Sequence, residues 1–144
     1  LLTFITLAPE TEVIGNNAFE QCKWLENVSQ TSQLEQIHAM AFSGCIRLKS
    51  LEPLTALRYL GERAFENCTA LEEIILPEGL EEIPKRAFYR CHQLKRITLP
   101  STIKRIGEEA FAFCYQLPQL QLPEGVELAG ERTFAWCYGR EAVL

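Results

Sequence analysis

The chain has 144 residues, 47% of them hydrophobic and 23% charged, which suits one folded domain and excludes a second of full size. Its formal charge is −5 at pH 7, so nucleic acid, which recruits clustered Lys and Arg, is not an expected partner. No apolar run approaches the roughly 20 residues that a membrane-crossing helix needs, so no transmembrane segment is expected. The opening LLTFITLAPE has neither an initiator Met nor a basic leader region and reads as an internal piece of a longer protein.

From there an internal period takes over. Phe19, Phe42, Phe65, Phe88, Phe111 and Phe134 lie 23 residues apart, and so do Cys22, Cys45, Cys68, Cys91, Cys114 and Cys137, which are all six cysteines of the chain. With each of these Phe as position zero, position −5 reads Ile14, Ile37, Leu60, Ile83, Ile106, Ala129, and position −8 reads Thr11, Leu34, Leu57, Leu80, Ile103, Val126. Position +6 reads Leu25, Leu48, Leu71, Leu94, Leu117, Arg140, and +9 reads Val28, Leu51, Ile74, Ile97, Leu120, Val143. A 23-residue unit is too short to bury its own apolar stripe, so these inward columns require units stacked on one another.

Along each unit, the segment after the cysteine alternates with a period of two: in LKRITL, Ile97 and Leu99 face one way and Arg96 and Thr98 the other, as in a strand. In the first units Gln30 and Pro53 replace the strand's second inward residue, which predicts short or bent strands there. Further on, Pro77, Pro100 and Pro123 lack an amide donor and end their strands. The stretch typified by GEEAFAFC predicts one or two helical turns, partly 3₁₀. At the C-terminus Ala129 and Arg140 break the columns, while Val143 and Leu144 begin another strand. Residues 1–144 thus read as a single α/β solenoid of about six repeats. A right-handed coil is expected, with a parallel sheet on its concave side and short helical turns on its convex side. Its ends would expose core unless further repeats or another chain cap them.

The repeat L-x-x-I-x-L-P-x-x-I-x-x-I-G-x-x-A-F-x-x-C, met most fully in ALEEIILPEGLEEIPKRAFYRC and QLKRITLPSTIKRIGEEAFAFC, resembles the BspA-like class of leucine-rich repeats. Gly79, Thr102 and Gly125 stand where general leucine-rich repeats expect Asn or Cys, which favours that class. The resemblance implies binding rather than catalysis. It suggests a surface or secreted adhesin of the kind that contacts host matrix proteins or other cells. The alternative is a structural or scaffold subunit of a stable assembly, surface-exposed or intracellular.

The candidate reactive groups have simpler explanations. Stacked strands about 4.8 Å apart would hold equivalent Cys with parallel Cα–Cβ vectors and Cβ atoms about 5 Å apart, too far for disulfides. Six reduced, buried thiols are expected, and without paired ligands such as C-x₂-C no metal or other cofactor is. Cys91 and His92 suggest a nucleophile and base, but an inward Cys and an outward neighbour diverge. Seven basic residues and no acidic one lie between Ile83 and Gly107, suggesting an anion site. On the 23-residue lattice, however, Glu72 meets Lys95, Glu73 meets Arg96, Glu81 meets Lys104, Glu82 meets Arg105, and Lys85 falls between Glu62 and Glu108. Arg86 and Arg90 have no opposite charge in the preceding unit, and the anion reading rests on them.

Two surfaces are candidates for a protein partner. The concave face is formed by outward strand positions, among them Ser50, Glu52, Glu73, Ile75, Arg96, Thr98, Gln119 and Gln121. On the convex side, positions +2 and +4 are mostly polar until the last two units, where Phe113, Tyr115, Trp136 and Tyr138 cluster. That cluster either meets a partner or packs under a following segment. Asn27-Val-Ser29 and Asn67-Cys-Thr69 fit the glycosylation pattern and give weak support for secretion.

Overall fold

The computed structural model describes residues 1–138; the expectations for Arg140, Val143 and Leu144 fall outside the described residues. Eleven short strands follow one another: β1 (Phe4–Thr6), β2 (Val13–Ile14), β3 (Asn27–Ser29), β4 (Gln36–Ile37), β5 (Ser50–Leu51), β6 (Tyr59–Leu60), β7 (Glu73–Ile75), β8 (Glu82–Ile83), β9 (Arg96–Thr98), β10 (Arg105–Ile106) and β11 (Glu127–Leu128). The coil carries two parallel ladders rather than the single one expected. The first joins β1-β3-β5 and β7-β9, the second β2-β4-β6 and β8-β10-β11. Register follows the 23-residue period, as in Ile5 opposite Val28 and Ile74 opposite Ile97.

Burial follows the columns. Leu34, Leu57, Ile37, Ile83, Leu48, Leu71, Phe42, Phe65, Phe88 and Phe111 are fully buried, and they belong to one continuous core. Phe19, in the first unit, is half-buried. The phenylalanine rings stack in a single file, with centroids 5.4, 5.3, 5.5, 5.4 and 5.6 Å apart. The rings thus repeat a little more widely than the about 4.7–4.9 Å typical of paired strands, and the first ladder forms the face expected to be the inner curve.

The convex side differs from expectation: no helix, α or 3₁₀, forms among the described residues. Single turns close instead, such as Tyr89 N–H to Arg86 O and Cys91 N–H to Phe88 O, both 3.2 Å. Between them the residues at −2 and +2 adopt positive φ: Asn17, Met40, Arg63, Arg86, Glu109 and Arg132 at −2, then Gln21, Gly44, Asn67, Arg90, Phe113 and Trp136 at +2. A left-handed residue ends a right-handed helix, so two per unit prevent one. The hydrogen bonds a helix would keep internal run between units. The amides at −2, 0 and +2 donate to the next unit, as in Arg63 to Lys85 O, Phe65 to Ala87 O and Asn67 to Tyr89 O at 3.1, 2.9 and 2.8 Å. The acceptor carbonyl belongs to the same peptide group as the next donor in the series. Three unbroken filaments of peptides therefore run along the rod from Asn17, Phe19 and Gln21.

The cysteines complete this wall. All six are thiols rather than disulfides, and the Sγ of Cys45, Cys68, Cys91, Cys114 and Cys137 donates to a phenylalanine carbonyl of the preceding unit at 3.1–3.2 Å. Prolines and glycines adjust the ladders locally. Pro53 follows β5, which has two residues where β1 and β3 have three, and Gln30 bends out of its strand with φ 59°. Pro118 has no amide to match the Lys95-to-Glu72 bond of the unit before, and no strand forms at Gln119–Gln121. The last unit also slips in register, with Arg105 opposite Glu127, where Ala129 replaces the bulky −5 residue.

Candidate interaction surfaces

Most of the basic stretch is neutralised by its neighbours. Lys95, Arg96, Lys104 and Arg105 reach Glu72, Glu73, Glu81 and Glu82 at 3.7, 3.1, 3.2 and 3.8 Å, and Lys85 reaches Glu108 at 3.9 Å. Arg86 is not free: it pairs forward at 2.9 Å with Glu109 of the next unit, a residue only 8% exposed. Arg90 lies 5.4 Å from the Tyr89 ring centroid and 5.3 Å from that of Phe113, within cation–π range. The stretch is therefore an ion-pair ladder between two units, and the anion band is not supported.

The reactive-residue candidates separate as their register requires. The Cys91 thiol is fully buried and donates to Phe65 O at 3.2 Å, while burial pushes its pKa up. His92 lies outside, tilted against Tyr115 at 4.9 Å, its pKa lowered by partial burial and by Arg90. No group of three His, Cys, Asp or Glu suited to a metal occurs among the described residues. No helix there is long and apolar enough to cross a membrane.

On the inner curve, Ser50, Glu52, Glu73, Ile75, Arg96, Thr98, Gln119 and Gln121 are all exposed. The first five of these line one depression of about 210 Å³ next to Pro53; Thr98, Gln119 and Gln121 lie beyond it. Ile75 is 49% exposed, an apolar point flanked by the Glu73–Arg96 pair. Asn27, the first glycosylation candidate, donates to Ser50 Oγ at 3.1 Å on this face. The second, Asn67, takes φ 61° on the convex side.

The convex cluster forms a layered patch. Phe113 stacks on Trp136 at 6.4 Å and meets Tyr115 edge-on at 6.2 Å; Tyr115, Trp136 and Tyr138 are 47, 46 and 65% exposed. Two partners escaped sequence reasoning. Tyr89, at +1, meets Phe113 edge-on at 5.5 Å, and Arg86 lies 4.4 Å from the Tyr89 ring centroid, so the patch extends into the fourth unit. The signal was available in Tyr89-Arg90, which brings an aromatic ring and a guanidinium within one lattice step of Phe113. Positive φ at Phe113 and Trp136 is not a mark of function, because Gln21, Asn67 and Arg90 share it.

A coiled stack of parallel strands with a repeated leucine and phenylalanine interior is a leucine-rich solenoid. The family model described as BspA type leucine rich repeat region matches residues 12–141 in six copies. The chain belongs to that family. It is similar to the crystal structure of a leucine rich cell surface protein from Faecalibacterium prausnitzii, at 29% identity and a TM-score of 0.89, over 95% of this chain and 37% of that one. The chain thus spans little more than a third of that protein's length. It is also similar to a T. pallidum leucine rich repeat protein, at 25% identity and a TM-score of 0.78, over 95% of this chain and 77% of that one. A leucine-rich repeat protein from Eubacterium ventriosum shares the fold, at 21% identity and a TM-score of 0.65, over 95% of this chain and 43% of that one. No curated protein matches the sequence.

Proposed function

We propose that the chain is a non-catalytic protein-interaction module, one leucine-rich domain of a longer surface or secreted protein that binds through its inner curve. The observation that carries this reading is the division of labour in the repeat. Phe, Leu, Ile and Cys recur inside, while all eight candidate residues of the strand face are exposed and differ from unit to unit. Likeness to a leucine rich cell surface protein supports the location. In a longer protein the ends continue into further repeats or meet another chain.

A scaffold role inside a stable assembly is the second reading, and the convex cluster at Tyr89, Phe113, Tyr115 and Trp136 favours it, since clustered aromatics with Arg are common in hot spots. One comparison separates the two. Binding to immobilised extracellular matrix proteins is measured for the wild type, for Ile75→Asp with Arg96→Glu, and for Tyr115→Ala with Trp136→Ala. Loss confined to the first variant supports the adhesin reading. No matrix binding, with a stoichiometric native partner cross-linked near the aromatic cluster, replaces it with the scaffold reading.

A further inference from the structure

Both ladders are interrupted at the same level. β5 does not pair with β7, and β6 does not pair with β8, although every other pair of successive units up to β10 keeps both ladders. A proline stands at each interruption. In two other units the residue equivalent to Pro53 donates its amide to the next unit's backbone, from Leu7 to Ser29 O at 3.1 Å and from Leu76 to Thr98 O at 3.0 Å, and Gln30 donates its amide to the Glu52 carboxylate at 2.7 Å. The residue equivalent to Pro84 donates to the preceding unit, from His38 to Ile14 O at 2.9 Å and from Gly61 and Gly107 to Ile37 and Ile83 O at 2.7 Å. Proline has no amide, and its ring occupies the place of the hydrogen. His38 keeps its bond despite carrying a Cβ, so side-chain bulk alone is not the cause at Pro84.

All six ion pairs between units join those of Phe88 and Phe111; no other junction among the described residues carries one, the interrupted one included. Opposite charges do face each other across it on the lattice: Lys49 and Glu72, Arg58 and Glu81, Glu62 and Lys85. In each case the fourth-unit partner turns to the fifth unit instead, to Lys95, Lys104 or Glu108. What crosses the interruption is the convex wall, with three amide bonds from Arg63, Phe65 and Asn67, the Cys91 thiol bond and the Phe65–Phe88 stack. Buried apolar columns also cross it, as Leu57 with Leu80 and Leu60 with Ile83. Hydrogen bonds are directional and hold strands in register, whereas apolar contact tolerates a change of angle.

We infer that the solenoid is articulated at this level: its two halves rock about the phenylalanine wall, opening and closing the strand side. The two depressions beside the prolines, about 210 Å³ next to Pro53 and about 360 Å³ next to Pro84, are the mouths of this joint. Closure brings Lys49, Arg58 and Glu62 toward their lattice partners, so low ionic strength favours the closed state. Rocking sets the curvature of the strand face and hence the shape it presents.

The test is continuous-wave EPR on nitroxide pairs in a Cys22→Ala background, in which the remaining native thiols are buried. The pair Thr55→Cys with Glu78→Cys spans the joint, and Ser32→Cys with Thr55→Cys spans an intact junction at the same lattice position. The expected distance distribution across the joint is about twofold broader than the control. It narrows at low salt and narrows to the control width when Pro53→Leu and Pro84→Gly restore the donors. A joint distribution as narrow as the control in the wild type overturns the inference, and that comparison stands even if the proline variants fail to fold. A breadth unchanged in folded P53L/P84G overturns it as well.

Discussion

Replacing Phe88 by alanine tests the stacked core most directly. The ring is fully buried and lies between Phe65 and Phe111, 5.5 and 5.4 Å away, with interplanar angles of 1° and 2°. Truncation removes apolar burial, leaves a cavity the stack cannot close, and breaks two ring contacts, a combined loss of about 3–5 kcal/mol. With a urea dependence of about 2 kcal/mol per molar, the unfolding midpoint falls by about 1.5–2.5 M. Phe19 supplies an internal control: it is half-buried and stacks only on Phe42, at 5.4 Å, so Phe19→Ala costs about half as much. Urea unfolding followed by circular dichroism gives both values. An unchanged midpoint for Phe88→Ala, or equal losses for the two variants, refutes the reasoning.

Gly61→Ala places a Cβ 2.4 Å from Ala39 N and should cost about 1–3 kcal/mol in urea unfolding, whereas Gly15→Ala, in the same column with no atom within 4 Å, should be neutral. Glu109→Gln leaves Arg86 without its charged partner and should cost about 1–2 kcal/mol, whereas Glu73→Gln breaks the exposed pair with Arg96 and should cost under about 0.5 kcal/mol; thermal melts at fixed ionic strength compare them. Burial raises the thiol pKa of Cys68, Cys91 and Cys114 and pushes Cys45 up to about 12, so native labelling at pH 8 should modify half-buried Cys22 well before these four, as counted by mass spectrometry. Unfolded thiols titrate near 8.5, so their folded-state protonation contributes stability that is whole below that pH and lost as pH rises toward the folded values. Urea midpoints should therefore be flat from about pH 7 to 8 and decline from about pH 9 upward.

Much of the fold was legible because side-chain identity carries it. The Phe, Cys and −5 columns are interior positions where only a few residue types fit, and the ion pairs follow from counting 23 along the chain. The convex turns were not legible, since left-handed geometry leaves no trace in residue type: Arg86, Glu109 and Phe113 adopt it where their amides bond to the next unit, and Trp136 shares it. The second ladder was hidden for a similar reason, as two-residue strands such as β8 show no alternation to detect. Arg86 was read as unpaired because only the preceding unit was searched, whereas its carboxylate partner follows it. Pro53 was seen as a local bend, but its alignment with Pro84 on either side of one junction emerges only when the coil is closed.

The filaments of the convex wall give the rod an electrical direction. In each filament the amide points toward the C-terminal end and the carbonyl toward the N-terminal end, unit after unit, as from Asn17 to Ala39 O, Met40 to Glu62 O and Arg63 to Lys85 O. Peptide dipoles of about 3.5 D aligned in this way add, as they do along an α-helix, but here the positive pole lies at the C-terminal end. Parallel ladders contribute little to offset it. Each added repeat lengthens three dipole chains at once, so stacking polarises the bonds already made, and any surface meeting the end of such a rod meets a sign of charge that no side chain supplies.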